Sequence, residues 1–321
     1  MAGFASCSKE AHVIPVDEEE TGTPVPNSFS QIFLTSTSGL PGNIVYDIAF
    51  EGQVAHIATN NGYATYDGSN WQVFNTSNSA LPSNKVNAVC VSGNIIWLGT
   101  DNGLVQLDGG IMTIYTMLNS PLPVNKVRCL ETDLSGQLWI GTFSGGGLAG
   151  FDGSNWSVYT PGNSDLPSNT VAEITRDDLG NLWIGTAAGL SKFDGTTFTN
   201  YSVGNSPLPN NNIYTIAIDS SDVKWIGSNS GLTRFDNSSW TTYDMQNSGL
   251  PLNLVRSIAA SSNVLWIGME GQGLASFEPG TNQWIHYNTN NSNIPNNFVN
   301  HLTWNNTQQL WLSTENGIAV K

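Results

Sequence analysis

Residues 181–211 read NLWIGTAAGLSKFDGTTFTNYSVGNSPLPNN. Nearly the same phrase stands upstream as LWIGTFSGGGLAGFDGSNWSVYTPGNSDLPSN (138–169) and downstream as KWIGSNSGLTRFDNSSWTTYDMQNSGLPLN (224–253). A Ser-x-(Leu/Ile)-Pro-x-Asn segment recurs seven times, with prolines at 41, 82, 123, 167, 209, 251 and 295. Its last residue never varies: Asn43, Asn84, Asn125, Asn169, Asn211, Asn253 and Asn297. A tryptophan opens the W-(I/L)-(G/S) phrase at 97, 139, 183, 225, 266 and 311, and His56 fills the first slot. Consecutive spacings run between 41 and 45 residues. That period, with four short β-type segments per copy, marks propeller blades rather than helical solenoids.

Each copy divides in the same way. An inner strand follows the asparagine, for example Ile213-Tyr214-Thr215-Ile216, and a hairpin leads to the tryptophan strand. A tight turn ending in glycine leads to the third strand, and Asp-Gly pairs such as Asp67-Gly68 and Asp152-Gly153 turn into the fourth. The glycine column (62, 103, 147, 189, 231, 273, 317) has no exception, which requires a backbone position with φ > 0. The proline and asparagine are expected to stiffen the crossover between blades, the asparagine bonding to its own backbone. The last copy stops after three strands, while FSQIFLT (29–35) precedes the first full copy. Phe33 lies five residues before Ser38, the spacing that Tyr115, Tyr159, Tyr201, Tyr243 and Tyr287 keep from their own serines. The expected fold is therefore all-β: a seven-bladed β-propeller of four-stranded antiparallel blades. Strand 29–35 closes blade seven with the C-terminal strands, since a blade covers its faces only with neighbours on both sides.

Composition agrees. Only 11% of residues are charged, against 33 Gly and 11 Trp. Turn formers and aromatics dominate over strong helix formers. The formal charge of −15 repels a phosphate backbone, so no nucleic-acid partner is expected. No apolar run is long enough to span a bilayer. The leader MAGFASCSKE, with Phe4-Ala5-Ser6-Cys7 and then DEEE at 17–20, resembles the end of a bacterial lipoprotein signal with Cys7 as the acylated residue. Residues 1–28 read as lipoprotein leader remnant and flexible tether, and residues 29–321 as the propeller.

The phrase LWIGTxxGLxxFDG…NSxLPxN resembles the two-component regulator propeller repeat, abundant in Bacteroidetes, over nearly all of 29–321. The resemblance implies the sensing part of signalling systems that respond to glycan breakdown products. Kinase and receiver segments are absent from this sequence, so the stand-alone lipoprotein form carries over the sensing fold and not the signalling output.

Catalytic signatures are scarce. H-E-x-x-H, C-x-x-C, P-loop and G-x-S-x-G motifs do not occur, and Gly145–Gly150 matches G-x-G-x-x-G only between two strands, where no helix N-terminus follows. With four histidines scattered through the chain, no metal, cofactor or catalytic residue is expected. Cys90 and Cys129 share strand parity in adjacent blades, so they face the same way around the ring and remain buried thiols. Ten of the eleven tryptophans occupy repeat columns and pack blade on blade; Trp304 alone stands near the end of an inner strand, as a plug of the channel.

Departures from the repeat are where function is sought. The turn after the second strand is enlarged in blade three, where it carries Phe143 and Ser144, and in blade six. The residue after the aligned Val or Ile varies around the ring: Tyr46, Asn87, Arg128, Ala172, Tyr214, Arg256 and Asn300. Arg128 and Arg256 come from the two blades with enlarged turns. A ligand at the channel mouth is expected to meet Arg128, Arg256, Tyr46, Tyr214, Asn87, Asn300, Phe143 and His301, arginine suiting carboxylates and tyrosine suiting sugar faces or peptides. The competing expectation pairs the arginines with Glu173, Asp47 or Glu131. The functional expectation is a non-enzymatic, monomeric binding or sensor propeller at the outer membrane, cell surface or periplasm, recognising a glycan fragment, peptide or envelope protein. The alternatives are a scaffold subunit of an outer-membrane assembly, and a lyase of the antibiotic-inactivating type with His301 as its sole candidate.

Overall fold

The computed structural model describes residues 29–321, Ser144 and Ser262 excepted; the tether and Cys7 lie outside these residues. Among the described residues twenty-eight strands form seven four-stranded antiparallel sheets. Each inner strand touches the next, and that of blade seven (Val299–Trp304) returns to that of blade one (Val45–Glu51), so the ring is closed.

The closing strand is shorter than the seven residues expected. Gln31–Phe33 pairs with Gly317–Val320 in the register Gln31↔Val320, Ile32↔Ala319 and Phe33↔Ile318. Ser30 N adds a 2.7 Å bond to the Val320 carbonyl. Phe33 stacks on Trp311 at 5.6 Å, and Phe29 packs edge-on to Tyr287 of blade six.

The two unvarying columns bond to one another. Every glycine of the column has positive φ, from 74° to 132°. A Cβ on Gly147 would stand 2.2 Å from the Tyr159 carbonyl oxygen, so only glycine fits. The amide N–H of Gly62, Gly103, Gly147, Gly231 and Gly273 donates to the carbonyl of Asn84, Asn125, Asn169, Asn253 and Asn297, on the way to the next blade. Gly317 N does the same to Asn43 across the closure at 2.7 Å. The asparagine side chain bonds differently from the local turn expected: its Oδ1 accepts the N–H of the residue eight positions earlier, as in Met117→Asn125 and Val203→Asn211, and so ties the crossover loop end to end. Asn169 Oδ1 has no partner because position 161 is a proline, which lacks the donor.

Burial runs between blades. Trp139 of blade three lies against Phe193 of blade four at 5.5 Å, in one cluster with Val171, Ile174 and Leu182. Each such tryptophan removes enough apolar surface from water to contribute about 2–3 kcal/mol. Cys129 sits in this cluster and Cys90 in the preceding one, both as free buried thiols. Trp304 donates its indole N–H to the Ala260 carbonyl at 3.2 Å.

Two blades replace apolar columns by matched polar groups. In blade one, buried His56 bonds through Nδ1 to Tyr63 Oη, where other blades place tryptophan and an aliphatic residue. In blade five, Lys224 stands in an aliphatic column at 1% exposure. Its ammonium donates to the Asp222 carbonyl at 2.9 Å and to Asn237 Oδ1 at 2.8 Å and forms an ion pair with Asp222 Oδ1 at 2.8 Å. Asn237 replaces the glycine of the Asp-Gly turn and keeps its left-handed backbone at φ 72°.

Candidate functional site

Every inner strand begins with a β-bulge. The pairing with the second strand slips between Val45 and Asp47, Val86 and Ala88, Val127 and Cys129, and at the equivalent place in the other four blades. The intervening residue has no partner across the ladder, and the bend turns its side chain towards the axis. Tyr46, Asn87, Arg128, Ala172, Tyr214, Arg256 and Asn300 thereby line one cavity of about 360 Å³ at the start of the inner strands. Phe143, from the enlarged turn of blade three, and His301 line it too. All eight residues singled out from the sequence therefore meet in one place.

The two arginines are held differently. Arg256 sends Nε and Nη2 to Glu270 Oε2 and lies over the Tyr214 ring at 4.4 Å. Asn212 Nδ2 donates to Tyr214 Oη at 2.7 Å and holds that ring in place. Arg128 donates Nε to the Ala172 carbonyl at 3.1 Å and covers Phe143 at 4.7 Å, with Lys126 Nζ 4.5 Å from the same ring. Among the described residues the terminal nitrogens of Arg128 have no hydrogen-bond or ion-pair partner. Among the described residues neither arginine forms a direct ion pair with Glu173, Asp47 or Glu131, although the charges of Arg128 and Glu173 act on one another. Glu270, brought up by the enlarged turn of blade six, is the carboxylate within reach of Arg256.

The asparagines brace the ring. Asn87 donates to Asp101 Oδ1 and to the Val127 carbonyl, both at 2.9 Å, and Asn300 donates to the Val45 carbonyl at 3.1 Å. Lys85 lies 5.1 Å from the Tyr46 ring and 4.0 Å from Asp101 Oδ2.

Below the mouth the channel is acidic. Burial pushes Glu173 up to about 8, with the negative charge of Asp47 adding to the shift. Burial also raises Glu131. Asp47 itself is engaged, 3.2 Å from His301 Nδ1 and accepting the Val89 amide at 2.9 Å. His56 and His286 lie in other parts of the fold, on the second strand of blade one and the outer strand of blade six. Among the described residues no group of three or more His, Cys, Asp or Glu could hold a metal ion, and no helix is long and apolar enough to cross a membrane.

Lys85, Glu270, Phe298 and Glu315 also line the cavity and were not foreseen. Glu270 had a signal, since it lies in the enlarged turn of blade six. Lys85 and Phe298 directly follow and precede repeat columns, where nothing in the chain itself distinguishes a lining residue from a surface one.

Comparison with known proteins agrees with this architecture. Residues 165–188 match the two component regulator propeller family model. No curated protein matches the chain in sequence. In fold the chain is similar to the extracellular domain of a one component system from B. thetaiotaomicron, at 20% identity and TM-score 0.73, over 91% of this chain and 39% of that one. It is similar to virginiamycin B lyase from Staphylococcus aureus, at 15% identity and TM-score 0.72, over 91% of this chain and 97% of that one. A third likeness is to PorZ, a surface component of the type-IX secretion system of Porphyromonas gingivalis, at 19% identity and TM-score 0.70, over 87% of this chain and 46% of that one. At these identities the likeness is one of fold. The chain spans 39% of that extracellular domain's length. The stretch that the family model matches, residues 165–188, is similar to one two component regulator propeller repeat.

Proposed function

We propose that this chain is a non-enzymatic, extracytoplasmic binding propeller of the sensor type, which captures a glycan fragment or peptide at its channel mouth. One observation carries the reading: the seven equivalent positions whose residues vary around the ring converge on one cavity of about 360 Å³ with aromatic and cationic walls. Such a cavity is of the size that small ligands occupy. The likeness to the extracellular domain of a one component system supports the sensor type. Anchorage through an acylated Cys7 belongs to the same proposal and accords with an extracytoplasmic site. His301 stands without a second histidine among the lining residues, which weighs against the lyase alternative.

The test is a thermal-shift and calorimetric screen of oligosaccharides and short peptides against the purified chain. A ligand at the mouth raises Tm by mass action. Replacing both Arg128 and Arg256 by alanine should abolish capture. A hit bound equally well by that double variant would move the site elsewhere.

A further inference from the structure

We infer that the mouth holds a carboxylate subsite on Arg128 beside Phe143, so that the ligand is an organic monoanion whose carboxylate adjoins a ring or other flat face. The inference rests on the reading of the mouth as a binding site and adds the ligand's chemical class.

The charge distribution is the first ground. The chain carries −15 and only ten Lys and Arg, yet Lys85, Lys126, Arg128 and Arg256 gather at this one opening. Two of the four are occupied, Arg256 by Glu270 and Lys85 by Asp101. Arg128 and Lys126 instead flank the Phe143 ring with no acidic partner among the described residues.

Geometry is the second ground. The bond from Arg128 Nε to the Ala172 carbonyl, with Phe143 beneath the guanidinium, fixes the plane of the fork. The terminal nitrogens remain for a ligand, and a guanidinium fork matches a carboxylate with two parallel hydrogen bonds. A point charge would need no such orientation.

The nearest internal competitor is Glu173, which follows the carbonyl that Arg128 holds. Burial and the charge of Asp47 push it up to about 8 against the opposing pull of Arg128, and no ion pair joins the two among the described residues. The other acids around the cavity, Asp47, Asp101, Glu270 and Glu315, equal the four cations in number, so the attraction comes from the open Arg128 fork and not from a net positive charge, which suits one carboxylate better than the two charges of a phosphate monoester.

The experiment compares matched pairs that differ only in the charge: benzoate with benzamide, methyl galacturonate with methyl galactoside, and an acetylated dipeptide acid with its amide. Affinities come from NMR titration of the arginine Nε–Hε and tryptophan indole signals, and thermal melts verify the fold of each variant. The acid of at least one pair should bind about tenfold or more tightly than its neutral partner. The pair that responds identifies the source of the carboxylate. Arg128→Gln should erase the difference, and Arg128→Lys, which keeps charge without the fork, should retain only part of it. Arg234→Gln, in the third strand of blade five, should change nothing. The inference is overturned if neutral and acidic members bind alike, if none of the acids binds, or if Arg128→Gln keeps the preference. A neutral ligand that perturbs Tyr46 and Tyr214 would refute the carboxylate subsite while leaving the mouth as the binding site; a ligand mapped to another surface would refute both.

Discussion

Removing the closing strand gives the sharpest test of this fold. Consider a chain beginning at Ser36 beside one beginning at Phe29. The shorter chain loses the Ser30 bond to Val320 and the three-residue ladder to Gly317–Val320, at about 1 kcal/mol net per hydrogen bond. It also loses the burial of Phe29, which is 5% exposed, and the half-burial of Ile32 and Phe33, together about 5 kcal/mol. The entropy of closing the ring is not released, because blade seven still packs on blade one and Gly317 still bonds Asn43. The net loss is about 9 kcal/mol, a large part of the roughly 5–15 kcal/mol that a folded protein holds. With an unfolding entropy of about 2.1 cal/mol/K per residue, Tm should fall by about 15 °C. The loss is local to blade seven, where Trp311 and Val320 become exposed, so the melt should also broaden. Calorimetry and urea unfolding measure both effects. A synthetic peptide of residues 29–35 should restore Tm in a dose-dependent way. An equally sharp transition at unchanged Tm in the shorter chain would refute closure by this strand.

Three further outcomes follow from the packed interior. Lys224→Leu, which restores the aliphatic residue of the other blades, should leave Tm unchanged or raise it, whereas Asp222→Ala strands a buried ammonium and should cost about 3 kcal/mol in urea melts. Burial holds His56 below its ordinary pKa despite the opposing pull of Glu51 at 3.5 Å. The unfolded chain therefore binds this proton first, and the stability from neutral His56 is complete above about pH 6.5 and lost as pH falls below it. Restoring the repeat with His56→Trp and Tyr63→Leu should flatten that part of the stability–pH curve; an unchanged slope would assign it to other groups. Burial pushes Cys90 up to about 12 and Cys129 well above its ordinary value. A chain beginning at Phe29 should thus react with no thiol reagent when native and with two equivalents when unfolded, and fast native labelling would contradict the buried positions.

Much of this architecture was legible because a repeat reports each structural requirement seven times. The glycine column could be read as a φ > 0 position from its lack of exceptions, and the distance from Phe33 to Ser38 exposed the missing outer strand. Other features escaped the sequence because they depend on which atoms meet. The asparagine column was expected to bond locally, yet it spans eight residues, a reach set by the curvature of the crossover. His56 looked like an isolated exception until its contact with Tyr63 showed two columns exchanged together. Lys224, Asp222 and Asn237 are likewise three unremarkable residues in the chain and one connected polar cluster in space.

The sequence by itself determined the number of blades, the way the ring shuts, and one set of seven equivalent positions around its opening, because those follow from period and parity along one chain. Only the tertiary structure decided that Arg256 is spent on Glu270 while Arg128 keeps its fork open. Coulomb energy depends on distances between groups carried by different turns and blades, and the spacing of residues along the chain contains none of those distances.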